Sequence, residues 1–76
     1  MSDEKTIKEV TKERDELFSK VVKLVSFTTE QSVPDTRTIT DRQYILLLIQ
    51  QNVMQSYIAV LNARLIELGG HHESNR

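Results

Sequence analysis

The chain has 76 residues, ten basic against eleven acidic side chains for a net charge of −1, and no cysteine. That length makes one small domain, whose single core supplies only about 3–5 kcal/mol, and the missing thiols exclude disulfides and thiolate metal sites, so self-association is the usual remaining support. The near-neutral balance lacks the basic excess of a duplex nucleic-acid binder, whereas a small anion held by a few placed cations is compatible with it.

The chain opens on Met1-Ser2-Asp3-Glu4-Lys5, charged and with no apolar segment behind it. The expectation is a chain without a signal peptide, located in the cytosol. From about residue 3 to residue 30 nothing breaks a helix. Ile7, Val10, Arg14, Leu17, Val21, Leu24 and Thr28 fall alternately three and four apart and form one seam, with Arg14 and Thr28 its polar members. Glu4, Lys8, Glu9, Glu13, Asp15 and Glu16 give the same helix a solvated face.

A polar connection around residues 31–40, holding the single proline Pro34, leads to a second helix over about 41–68. Thr40-Asp41-Arg42-Gln43 has the form of a capping box, with Ile39 and Tyr44 placed as a hydrophobic staple. Tyr44, Leu47, Gln51, Met54, Ile58, Leu61, Leu65 and Leu68 make the second seam. The longest unbroken apolar run, Tyr44 to Ile49, is far below the roughly 20 residues of a membrane-spanning helix, so no membrane partner is expected. Gly69-Gly70 is expected to end the helix by adopting the left-handed conformation, and residues 71–76 to form a disordered tail.

A short connection makes the helices antiparallel neighbours. The register that partners every apolar seam residue sets Leu24 opposite Leu47, Leu17 opposite Met54 and Val10 opposite Leu61, with Arg14 near Ile58 and Val21 near Gln51. The fold class is therefore all-α: a two-helix antiparallel hairpin, spanning residues 1–70. Each helix also carries apolar residues beyond its seam. Phe18, Val22 and Val25 do so on the first helix, and Ile45, Leu46, Leu48, Ile49, Val53, Tyr57 and Val60 on the second. A helix apolar nearly all round is buried all round, which an isolated hairpin cannot achieve, so the hairpin is expected to assemble into a homo-oligomeric helical bundle.

No catalytic constellation appears, and neither an enzyme, a cofactor nor a metal is expected. The adjacent His71-His72 falls in the expected tail, where a metal would be held weakly. Three polar groups invite a binding role. Arg14 replaces an apolar seam residue, either as a snorkelling or salt-bridged side chain or as a cation aimed at an interchain cavity. Gln51 reads as a register-fixing amide. Tyr57 and Arg64 share one face, where an aromatic plane and a guanidinium suit a nucleobase and a phosphate, or, more simply, an interface tyrosine and a solvated arginine.

Glu9-Val10, Glu13-Arg14, Glu16-Leu17, Lys20, Lys23-Leu24 and Phe27, followed by Gln43, Leu46-Leu47, Gln50 or Gln51, Met54, Tyr57, Leu61, Arg64 and Leu65, run in an order similar to that of a phage protein pattern. The chain resembles the small helical-hairpin family of anti-CBASS and anti-Thoeris sponge proteins, which includes crAss-phage-related small proteins. Glu9 stands where that pattern has arginine, and Thr28 where it has an apolar residue. The resemblance implies a phage-encoded homo-oligomer, a hexamer, acting in the host cytoplasm. It would sequester cyclic oligonucleotide or cyclic ADP-ribose-type immune signals between its subunits without cleaving them. Arg14, Lys20, Lys23, Tyr57 and Arg64 are the ligand-binding candidates it implies. The competing reading is a structural or interaction hairpin that oligomerises or blocks a host protein and takes no small molecule.

Overall fold

A computed structural model describes the backbone of residues 2–74 and the side-chain surroundings of residues 4–69. Helix α1 runs Ser2–Gln31, a 3-10 turn covers Pro34–Thr36, and helix α2 runs Asp41–Ser74. The two helices lie antiparallel in a rod of 55 × 18 × 16 Å, one helix pair thick. Its length is that of α2 itself, about 50 Å at 1.5 Å per residue.

Both seams lie where the heptad spacing puts them. Every residue of either seam is buried or half-buried, while the neighbouring Phe18, Val22 and Val53 are exposed. Full burial is nevertheless confined to Val10, Val21 and Leu61 among the described apolar side chains, with Thr28 and Gln31 their polar companions. Such a core is thin for a free-standing domain.

Crossing hydrogen bonds refine the register. Thr28 Oγ1 donates to Gln51 Oε1 at 2.8 Å, a crossing bond that the sequence pairing did not include. The same hydroxyl lies 3.1 Å from the Val25 carbonyl of its own helix. Thr28 and Gln51 gain by satisfying each other, because an unpaired buried amide costs about 1–3 kcal/mol.

The joint between the helices is closed by Gln31, the last residue of α1 and only 1% exposed. Its Oε1 accepts from the Thr38 N–H at 2.7 Å and the Ile39 N–H at 3.3 Å, and its Nε2 donates to Thr38 Oγ1 at 3.1 Å. Arg37 completes the clamp. Its Nε donates to the Gln31 carbonyl at 2.8 Å, its Nη1 meets Asp41 Oδ1 at 2.5 Å, and its guanidinium lies 4.5 Å from the Tyr44 ring centroid. Helix α2 then starts on its threonine cap: Thr40 Oγ1 accepts from the Gln43 N–H at 3.1 Å, the backbone half of the capping box.

The far end of α2 departs from expectation. Gly69-Gly70 does not end the helix, which continues through both glycines to Ser74, and no described glycine has a positive φ. Glycine terminates a helix only where the chain turns into the left-handed region; held at helical angles it weakens the helix and leaves it intact. The tail expected over residues 71–76 is thus helical as far as Ser74. Asn75 and Arg76 lie outside the described residues.

By length and composition α2 is also apolar enough to cross a membrane, with mean hydropathy 1.3 over its best window within Asp41–Gly69. A count of consecutive apolar residues misses this, because Gln50, Gln51 and Asn52 interrupt the run without adding charge. A helix packed on two sides by protein has the same composition.

Candidate functional site

Two long edges flank the seam, and adjacent residues of α1 open onto different ones. Glu13 faces one edge, where its carboxylate accepts a hydrogen bond from the Tyr57 hydroxyl. Arg14, about 100° further round the helix, faces the other, where its Nη1 donates to Asn62 Oδ1 at 3.1 Å.

On the Arg14 edge the guanidinium also holds its neighbour Asp15, with Nε and Nη2 at 3.2 and 3.1 Å from Oδ1. So exposed a pair adds little to stability, and its effect is to aim the side chain. Arg14, Asp15, Phe18, Ile58 and Asn62 line an open groove of about 360 Å3. Phe18 is 57% exposed beside it. Arg14 and Ile58 therefore meet across the helices as the register predicts. A guanidinium has five N–H groups, so Arg14 keeps donor capacity for a ligand in addition to its two protein partners.

On the opposite edge Tyr57 is 44% exposed and Arg64 is exposed two turns further along α2. The phenol pKa is raised above its ordinary value, first by the hydrogen bond to Glu13, then by partial desolvation and the Glu13 charge, while Arg64 pulls it the other way. Tyr57 thus stays a neutral donor tied to the Glu13 carboxylate of α1. Lys20 lies seven residues beyond Glu13 on the same strip of α1 and Lys23 three further on; both are exposed.

The five candidates from sequence are accordingly divided. Tyr57 and Arg64 belong to one edge, with Lys20 on the Glu13 strip of α1 beside it, and Arg14 belongs to the other. Lys23, about 80° round α1 from Glu13 on the side away from the seam, faces the back of that helix. Sequence reasoning missed Phe18 and Asn62 as members of the Arg14 groove. Asn62 is one helical turn beyond Ile58, the expected neighbour of Arg14, and that spacing was the available signal. Among the described residues no group of three or more His, Cys, Asp or Glu side chains could hold a metal ion. The side chains of His71 and His72 lie outside the described residues.

Both edges thus carry a ring-bearing side chain and a cation along the flanks of the helix pair, and the Arg14 edge adds the Asn62 amide. Residues 4–67 match the model of the family described as Sequestin, and the chain belongs to that family. The name denotes sequestration, and the membership agrees with the resemblance read along both helices. No curated protein and no solved structure matches the chain.

Proposed function

We propose that this chain is a phage-encoded sponge that sequesters a cyclic oligonucleotide or cyclic ADP-ribose-type immune signal in the host cytoplasm, holding it between subunits of a homo-oligomer and releasing it unchanged. The observation that carries the reading is a ring-bearing side chain beside a cation on each edge: exposed Tyr57 with exposed Arg64, and exposed Phe18 with half-buried Arg14. Bases stack on such rings and phosphates take charge-assisted hydrogen bonds from guanidinium groups. A single hairpin one helix pair thick cannot enclose a ligand, so two or more chains would close the site, and six is the number the resemblance implies.

Calorimetric titration of the purified protein with a panel of cyclic di- and trinucleotides and cyclic ADP-ribose isomers tests this. One member should bind, and chromatography after heat denaturation should recover it intact. Recovery of a linearised nucleotide would show an enzyme instead.

The second reading, a hairpin that assembles or blocks a host protein without a small-molecule ligand, is favoured by the apolar outer face of α2. Failure of the whole panel to bind an intact oligomer would select it.

A further inference from the structure

The described outer face of α2 leaves Ile45, Leu46, Ile49, Val53, Tyr57, Val60 and Ile66 between 44% and 72% exposed. Four of these, with the exposed Ser56 and Ala63, form an ordered second seam. Leu46, Ile49, Val53, Ser56, Val60 and Ala63 again alternate three and four apart, over about 26 Å of helix at 1.5 Å per residue. This stripe lies about 160° around α2 from the seam that meets α1.

We infer that this second seam is a twofold interface in which α2 packs antiparallel against α2 of another copy of the chain. The residues select both the partner and the direction. Large residues occupy the first half of the stripe and small ones recur in the second, so antiparallel pairing sets Leu46 against the partner's Ala63, Ile49 against the partner's Val60 and Val53 against the partner's Ser56. Each pair joins complementary volumes, as close packing requires. The same register brings Ile45 beside the partner's Ile66, which covers the most exposed large apolar side chain of the described helix. At the two ends of the stripe it sets Arg42 against the partner's Glu67, opposite charges at matching positions. A parallel pair would instead place Arg42 on the partner's Arg42 and large residues on large, splaying one end and leaving a void at the other.

The inference deepens the self-association in the proposed function and does not depend on any ligand. In an antiparallel helix pair the equivalent flanks of both helices meet on one side. Tyr57 and Arg64 of one copy would therefore share a flank with the partner's Tyr57 and the partner's Arg64, giving the candidate edge a second set of rings and cations.

The native chain has no cysteine, so crosslinking can read the register directly. A mixture of Leu46→Cys and Ala63→Cys chains, oxidised at neutral pH, should yield a disulfide joining the two variants, with little dimer in either variant alone. As a second readout, Arg42→Glu and Glu67→Arg should each weaken self-association about tenfold in sedimentation equilibrium, and the double variant should restore it. Crosslinking confined to single-variant preparations, or no crosslinking together with additive charge effects, would overturn the antiparallel interface. So would sedimentation of the native chain with phosphatidylcholine vesicles in place of crosslinking, which would make lipid the occupant of this face. None of these readouts involves a nucleotide, so failure of the interface and failure of ligand binding are distinguishable.

Discussion

Thr28 and Gln51, one on each helix, satisfy each other in the seam at 2.8 Å, a polar pairing that ties the two helices together amid apolar neighbours. Leucines tolerate a slipped neighbour, whereas a half-buried amide does not. Thr28→Ala should therefore destabilise the chain by about 1–3 kcal/mol, because Gln51 keeps its desolvation without its partner. The Thr28→Val, Gln51→Leu double variant should recover most of that loss in urea denaturation. Equal costs in the single and double variants would show that the bond contributes nothing to the register.

Gln31→Ala removes one side chain that serves two backbone N–H groups and a hydroxyl of the joint. The expected cost is about 2–4 kcal/mol, since several groups lose a partner at once. Hydrogen exchange should localise the damage, with the Thr38 and Ile39 amides losing protection first. Unchanged protection there would mean that Arg37 alone holds the turn.

Gly69→Ala distinguishes a helix interior from a helix end. A Cβ added at Gly69 meets nothing within 4 Å, and its backbone is helical. The substitution should stabilise the chain by about 0.5–1 kcal/mol, read as a raised thermal midpoint at fixed protein concentration. A glycine in the left-handed cap conformation would give the opposite sign.

The phenol of Tyr57 should titrate above the ordinary tyrosine value near 10. Ultraviolet difference titration of the Tyr44→Phe variant isolates it, because the chain has two tyrosines. Glu13→Ala should lower the midpoint and Arg64→Ala should raise it. With the folded value raised, the stability linked to the neutral phenol is complete below the unfolded value and is lost as pH rises through the folded one. The loss therefore falls in the alkaline range, and neutral pH should show no such dependence.

Arg64→Ala separates sponge from scaffold. Loss of one charge-assisted phosphate contact, roughly 1.5–3 kcal/mol, should weaken cyclic-nucleotide binding by about ten- to a hundredfold. Light scattering should show the oligomer unchanged. Tyr57→Ala is the less clean probe, because it also removes the bond that ties α2 to Glu13.

The heptad spacing made the hairpin legible because burial in a two-helix rod depends almost wholly on angular position. Val10, Val21 and Leu61 could be placed in the core from spacing alone. The joint was less legible: Gln31 reads as one more polar residue in a polar connection, and its role depends on where Thr38 and Ile39 come back in space. Gly69-Gly70 misled because the same residue type serves as a stop or as a weak helical position, according to a backbone angle that composition does not encode. Of the candidate site, Tyr57 and Arg64 could be grouped by their seven-residue separation. The division of Glu13 and Arg14 between opposite edges required the positions of their partners on α2.

The antiparallel joint has a practical consequence for labelling. With the turn at one pole, the start of α1 at Ser2 and the end of α2 at Ser74 lie together at the other, roughly 45–50 Å from the loop at 1.5 Å per residue. A tag fused to either end would crowd the same pole and spare the loop. If α2 pairs head to tail with its twin, the two tagged poles point in opposite directions. Fluorophores on the N-termini would then report a long separation, whereas one on an N-terminus and one on the twin's loop would report a short one.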